Sequence, residues 1–258
     1  VTELFDFLAQ FQEIGAEMAW RFWLVFLRCG TAMALLPAFG EQAIPQRIKL
    51  VIAIAFTLIV APAAGQMPNI QSSPLAYMGA EVVIGLALGI ALRLMVLALQ
   101  VAGSIAANAT SLSQLFGGAG PEPQPAISNL LVMAGLALAL AAGLHIQLSQ
   151  AFIQSYIVFP AGTLPQASDM ADWGVRHIAS AFSLAFVLAA PFTIAAFLYN
   201  VALGVINRSL PALMVSFIGA PALAGGGLVL IAVVAPVMLA IWVAKLQSVL
   251  AAPFAVAP

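Results

Sequence analysis

Of 258 residues, 64% are hydrophobic and only 7% charged. Soluble domains carry about a quarter charged residues, so most of this chain requires lipid or protein around it and reads as an integral membrane protein. The net charge of −1, with no Lys/Arg cluster, excludes an electrostatic footprint for nucleic acid, and the single Cys29 excludes an internal disulfide.

Glu3, Asp6, Glu13 and Glu17 precede the first basic residue, the reverse of a signal peptide's basic start, so the first apolar segment is expected to be retained. Apolar runs then fall at about Ala16 to Leu36, Ile44 to Ala61, Leu75 to Ala102, Ile127 to Phe159, Trp173 to Val205 and Leu213 to Val243. Backbone groups in lipid must be satisfied within their own segment, so each run predicts a helix. The expected fold is an all-α membrane protein of about six long hydrophobic helices in kinked hairpins. Turn chemistry separates the runs at Pro37 to Pro45, Pro62 to Pro74, Gly117 to Pro125, Pro160 to Pro165 and Asn207 to Pro211. Pro191, Pro221 and Pro236 lie within apolar stretches and predict kinks. The fourth run would extend roughly 50 Å as one helix, against a hydrocarbon core of about 30 Å, so it either breaks near Gly143 or projects beyond the bilayer. Arg47, Lys49 and Arg208 in loops on one side, against an acidic N-terminus, Asp169 and Asp172 on the other, favour both termini outside the cytoplasm; Lys245 dissents.

Four charged residues, Arg21, Arg28, Glu81 and Arg93, sit inside apolar runs, where each costs at least ~2.5 kcal/mol unless it faces protein, water or another charge. In the first run Glu17 and Arg21 are four apart in the favourable order, predicting a local ion pair, with Arg28 snorkelling to an interface. In the third, Glu81, Gly85, Gly89 and Arg93 follow at four-residue steps on a ridge that winds about 120° round the helix. Glu81 and Arg93 are about 18 Å apart along the axis, too far to pair, so each needs a partner outside its own helix. The two glycines admit close backbone approach, which is either ordinary helix packing or, with charges flanking them, an assembly ridge facing another subunit or a pore.

Ser104 to Asn129 is the most polar stretch between two apolar runs. It holds Asn108, Thr110, Ser111, Ser113 and Gln114, an apolar tip Leu115-Phe116, then Gly117-Gly118-Ala119-Gly120 and three prolines in five residues. It is either a connecting loop at the membrane surface or a flexible loop able to obstruct a conduit. His145 and His177 have no nucleophile or carboxylate at motif spacing, no metal-ligand or phosphate-loop motif is present, and no enzymatic activity or cofactor is expected.

Several stretches, in order, carry a family resemblance. They are Arg28-Cys29-Gly30-Thr31-Ala32 through Leu36-Pro37-Ala38-Phe39-Gly40, Ile44-Pro45-Gln46-Arg47-Ile48-Lys49, Glu81 to Arg93, Asn200 to Gly204, Arg208-Ser209-Leu210-Pro211 and Phe217 to Pro221. Together they resemble the FliR/SctT family of type III export-gate subunits, flagellar and injectisome. The motif residues so matched include Arg28, Gly30, Pro37, Phe39, Gly40, Pro45, Arg208 and Pro211. The chain departs from the family pattern at Phe116-Gly117-Gly118, where an Asp-Pro is usual, and at Ala142-Gly143-Leu144-His145, where an acid usually precedes Gly-His.

The resemblance implies a non-enzymatic core subunit of a helical export gate in the bacterial inner membrane, within the flagellar basal body. It would assemble with FliP and FliQ, with FlhB and FlhA nearby, to form a channel for unfolded export substrates. It further implies a FliP-like part over 1–126, middle hairpins over 127–210 and a FliQ-like region over 211–258. The family's plug loop maps onto about 104–126, with Asn108, Ser111, Gln114, Leu115, Phe116, Gly117 and Gly118 as plug residues. The competing reading is a polytopic secondary transporter with Glu81 or Arg93 as its coupling charge; the inverted repeats usual in such transporters are not evident.

Overall fold

The computed structural model describes residues 2–36, 45–68, 73–110, 126–209 and 215–255, with side chains from Gln12 onward except those of 207 and 215–221. The described residues form seven α-helices and one 3-10 turn: α1 (Thr2–Leu35), α2 (Gln46–Val60), the 3-10 turn (Ala61–Ala63), α3 (Pro74–Ala109), α4 (Ala126–Ala141), α5 (Leu144–Val158), α6 (Ala167–Ser209) and α7 (Val215–Ala251). The fold is all-α, as the apolar runs predict. The helices long and apolar enough to cross a membrane lie at Gln46–Ala63, Pro74–Ala109, Ala167–Ile206 and Ala222–Ala251, with α4 and α5 together as a broken fifth. Helix α1 is not among them: Arg21 and Arg28 dilute its apolar run.

The helix boundaries follow from local chemistry. Pro45 caps α2 and Pro74 is the first residue of α3, positions where the missing amide hydrogen is not needed. The fourth apolar run does break at Gly143. The Ala142 amide still bonds the Leu138 carbonyl, the Gly143 amide tightens onto Leu140, and Gly143 takes φ +83°, a conformation that ends a helix and favours glycine. By contrast, α6 and α7 continue as helix through Pro191, Pro221 and Pro236. Helix α3 also continues past Ser104 to Ala109, so the expected loop loses its first residues to helix.

Two compact units interleave along the chain. The first comprises 1–93, 144–177 and 248–258; the second 94–143 and 178–247. In the first, Leu24, Val25, Cys29 and Met33 of α1 and Leu36 just after it are buried, as are Ile84 and Leu88 of α3 and Phe152 and Tyr156 of α5. Phe56 of α2 meets Phe152 edge to face at 5.8 Å. Cys29 is a buried packing residue, as free cysteine often is. The C-terminal segment is anchored by Trp173, whose Nε1 donates to the Pro253 carbonyl at 3.0 Å, and by Phe254, packed edge-on to Phe159 at 4.9 Å.

In the second unit, Trp242 of α7 is fully buried. Its Nε1 donates to the Met95 carbonyl of α3 at 2.7 Å, and its ring lies against Gly135 of α4, where a Cβ would come within 3.3 Å. Helices α3 and α4 approach through Gly103, where a Cβ would lie 2.5 Å from the Ser128 Cα; the Ser128 hydroxyl donates to the Gln100 carbonyl at 3.0 Å. Small residues at these crossings let the backbones close in where lipid supplies no hydrophobic drive.

Gly79 and Gly85 test this packing against each other. A Cβ at Gly79 meets nothing within 4 Å, whereas one at Gly85 would collide with the Thr31 hydroxyl and the Arg28 carbonyl. Gly79→Ala is expected to be neutral or stabilising by about 0.5–1 kcal/mol through helix entropy. Gly85→Ala is expected to destabilise by about 1–3 kcal/mol, because α1 must move away. Thermal unfolding of the two detergent-solubilised variants checks the difference.

Candidate functional site

A buried ion-pair node joins three helices of the first unit. Arg28 of α1 and Glu81 of α3 are both fully buried, each at 0% side-chain exposure. The Arg28 Nε donates to Glu81 Oε2 at 2.6 Å and its Nη2 to Oε1 at 3.1 Å, the two-pronged geometry that makes arginine–carboxylate pairs strong. The Nη1 donates to the Ser155 hydroxyl of α5 at 2.9 Å, and Nη2 also reaches the Phe159 carbonyl at 3.1 Å. Four of the five guanidinium N–H groups are thereby engaged. The guanidinium carbon lies 3.6 Å from the centre of the Tyr156 ring, a desolvated cation–π contact.

Glu81 is equally saturated. Besides Arg28, Oε2 accepts from the Tyr156 hydroxyl at 3.0 Å and Oε1 from the Gly162 amide at 2.9 Å. That amide is presented by the turn Pro160 to Thr163, closed by the Thr163 amide on the Pro160 carbonyl at 3.1 Å. Gly162 takes φ +76° at the third position, the type II pattern that calls for glycine. Glycine is required twice over, since a Cβ there would lie 2.6 Å from Tyr77 Cδ1.

The glycines of α3 bring the pair together. One turn beyond Glu81, Gly85 rests on the Arg28 carbonyl and Thr31, and Gly89 on Ala32, where a Cβ would lie 2.8 Å from the carbonyl oxygen. With α1 held this close, the Arg28 side chain reaches Glu81 directly. No buried side-chain nitrogen or oxygen among the described residues lacks a partner, and no cluster of metal-binding residues occurs among them. The node is a fixed cross-brace; its charges cancel in place.

Three sequence expectations change here. Arg28 does not snorkel outward but is fully buried on Glu81, because two opposite charges inside apolar helices lower each other's cost more than either could alone. Glu17 is exposed and forms no ion pair with Arg21, whose Nη1 instead reaches the Ala61 carbonyl at 3.3 Å. Of the ridge expected to face another subunit or a pore, Glu81, Gly85 and Gly89 are instead engaged on α1 within the chain. Arg93, carried round by the winding of the ridge, is exposed.

The remaining expected residues are not gathered here. Gly30 lies in α1 in ordinary contact with the Phe26 ring, Pro45 caps α2, Arg208 is exposed in the last turn of α6, and Asn108 is exposed near the end of α3. Pro37, Phe39, Gly40, Pro211, Ser111, Gln114, Leu115, Phe116, Gly117 and Gly118 lie outside the described residues. The sequence requires a partner for Glu81 but does not single out Arg28 for it, nor Ser155, Tyr156 and Gly162. Gly162 carried a usable signal, a glycine in a Pro-Ala-Gly-Thr turn; Ser155 and Tyr156 carried none.

Residues 19–249 match the family described as bacterial export proteins, family 1. The chain belongs to this family. It is 34% identical over 88% of its length, and 93% of the relative's, to a protein of Caulobacter vibrioides named flagellar biosynthetic protein FliR. It is also similar to the FliR of Escherichia coli, at 28% identity over 84% of each chain. A third relative, Yop proteins translocation protein T of Yersinia pestis, is 28% identical over 76% of this chain and 77% of its own. The motif at Arg28 and the helix carrying Glu81 both fall inside the matched region, so the resemblance read from the sequence is borne out at the level of the family.

Removing one member of a buried pair leaves the other uncompensated. Arg28→Met is expected to destabilise by about 3–5 kcal/mol, and Arg28→Lys to fall short of rescue because an ammonium cannot match the two-pronged contact. Adding Glu81→Gln to Arg28→Met should restore part of the loss, since a neutral amide can still accept from the Gly162 amide. Unfolding midpoints of the solubilised single and double variants check the sign of this coupling.

Proposed function

We propose that the chain is a non-enzymatic core subunit of the flagellar type III protein export gate, working in the bacterial inner membrane at the flagellar basal body. The observation that carries the reading is the family match over residues 19–249, with a flagellar protein at 34% identity over nearly the full length of both chains. The internal design agrees with it. The buried Arg28–Glu81 pair is saturated and its charges cancel in place, which suits a rigid wall component.

In this reading the subunit assembles with FliP and FliQ into the channel through which unfolded flagellar subunits pass, with FlhA and FlhB nearby. Residues 1–126 act as its FliP-like part and 211–258 as its FliQ-like part. The segment between α3 and α4, with Leu115-Phe116 at its tip and Gly117-Gly118 behind it, serves as a movable plug. Glycine permits backbone conformations closed to other residues, which suits an element that folds into a narrow space and moves aside.

Assembly is tested by size. The tagged chain, extracted from a motile strain, is expected in a large mixed complex containing FliP and FliQ; recovery as a small oligomer alone would favour a solute transporter instead. The plug is tested separately by deleting Gln114 to Gly120. The complex should still assemble while membrane conductance to ions rises, and unchanged conductance in an assembled complex would end the plug reading.

A further inference from the structure

Within the first unit, the face of α3 opposite the node is an exposed apolar stripe with one charge in it. Val83, Leu86 and Ile90 are 39%, 36% and 41% exposed, and Arg93 follows as an exposed residue at the next helical step. Spacings of three, four and three residues keep all four within about 80° on one side of the helix. Arg93 makes no ion pair or hydrogen bond with the described residues. It also has no acid one turn away, since positions 89, 90, 96 and 97 are Gly, Ile, Val and Leu.

Its place in the helix makes this notable. Nineteen residues of α3 precede it and sixteen follow. Arg93 therefore stands roughly 28 Å from one helix end and roughly 24 Å from the other, beyond the reach of a snorkelling side chain if α3 crosses centrally. A guanidinium is always ionised and demands acceptors, and hydrocarbon supplies none. The same chain shows two ways of satisfying such a group: Arg28, fully buried, is neutralised by a two-pronged carboxylate, while the half-buried Arg21 reaches the Ala61 carbonyl at 3.3 Å.

We propose that the Val83, Leu86, Ile90 and Arg93 stripe of α3 is a docking face for an apolar helix of another membrane subunit, which presents a carboxylate to Arg93. The apolar residues supply surface without sequence selectivity, and the charge fixes the axial register of the incoming helix, because a shift by one residue would turn the carboxylate away. The inference rests on the reading of the chain as part of a multi-subunit gate, and it adds the chemistry of one contact.

The test uses the full-length tagged chain in cells, with Arg93→Leu, Arg93→Lys and Arg93→Glu. Two quantities are measured for each: chain inserted in the membrane, and mixed complex recovered after mild extraction. All three variants should insert at the wild-type level, because Arg93 supports no contact within the described chain. Arg93→Leu and Arg93→Glu should lower complex recovery at least about tenfold by stranding a buried carboxylate, while Arg93→Lys retains most of it. Lysine in place of the partner's carboxylate should restore the Arg93→Glu complex. Wild-type recovery with Arg93→Leu would mean that Arg93 faces lipid or water, and would overturn the proposal while leaving the gate reading intact. Parallel loss of insertion and complex would also overturn it, by assigning Arg93 to the chain's own fold. A wild-type chain found in no mixed complex would instead overturn the gate reading itself, and the docking face with it.

Discussion

A guanidinium and a carboxylate, both withdrawn completely from solvent, set the terms for the first unit of this protein. Taking either charge out of water costs several kcal/mol, and their mutual attraction offsets that only when geometry is good and every remaining donor and acceptor is satisfied. The node meets both conditions by drawing on three helices and a turn. Arg28 comes from α1, Glu81 from α3, Ser155 and Tyr156 from α5, and Gly162 from the turn before α6. Each contributor is thereby fixed against the others. Residues 53, 75 and 127 positions apart in the chain become one rigid unit through a single pair of charges.

The close packing around the node and the node itself depend on each other. Gly85 and Gly89 let α3 settle onto the α1 backbone, and only at that distance does the Arg28 side chain meet Glu81 squarely. Gly162 performs the same service from the other side, where its positive φ aims an amide at the carboxylate. In an apolar medium, van der Waals packing and polar contacts hold helices together because the hydrophobic effect between them is absent. The second unit uses the packing half of this scheme with neutral groups, pairing Gly103 with Ser128 and setting the Trp242 indole against Gly135 and the Met95 carbonyl.

Arg28 and Arg93 contrast in their surroundings, one fully buried on a carboxylate and the other exposed. Four-residue steps gain about 40° each, so a ridge that starts at Glu81 in the core has left it by Arg93. The inner part of α3 closes the subunit's own fold, and its outer stripe is left apolar with a single cation.

Much was legible from the chain alone. Apolar length gave the helices and the all-α class because a backbone in lipid has no other way to bond, and Gly143 was identifiable as a break because the fourth run was too long to cross unbroken. Ordered motifs from Arg28 to Pro221 gave the family. Other features had no local signature. That Arg28 turns inward to Glu81 rather than outward, that Gly85 and Gly89 pack on α1 of the same chain, and that Ser155 and Tyr156 complete the node all depend on which helices are neighbours. Periodicity states which residues share a face; it is silent on what that face meets. Composition required every buried charge to have a partner, and only the tertiary structure chose it, because partner choice is set by distances between segments far apart in sequence.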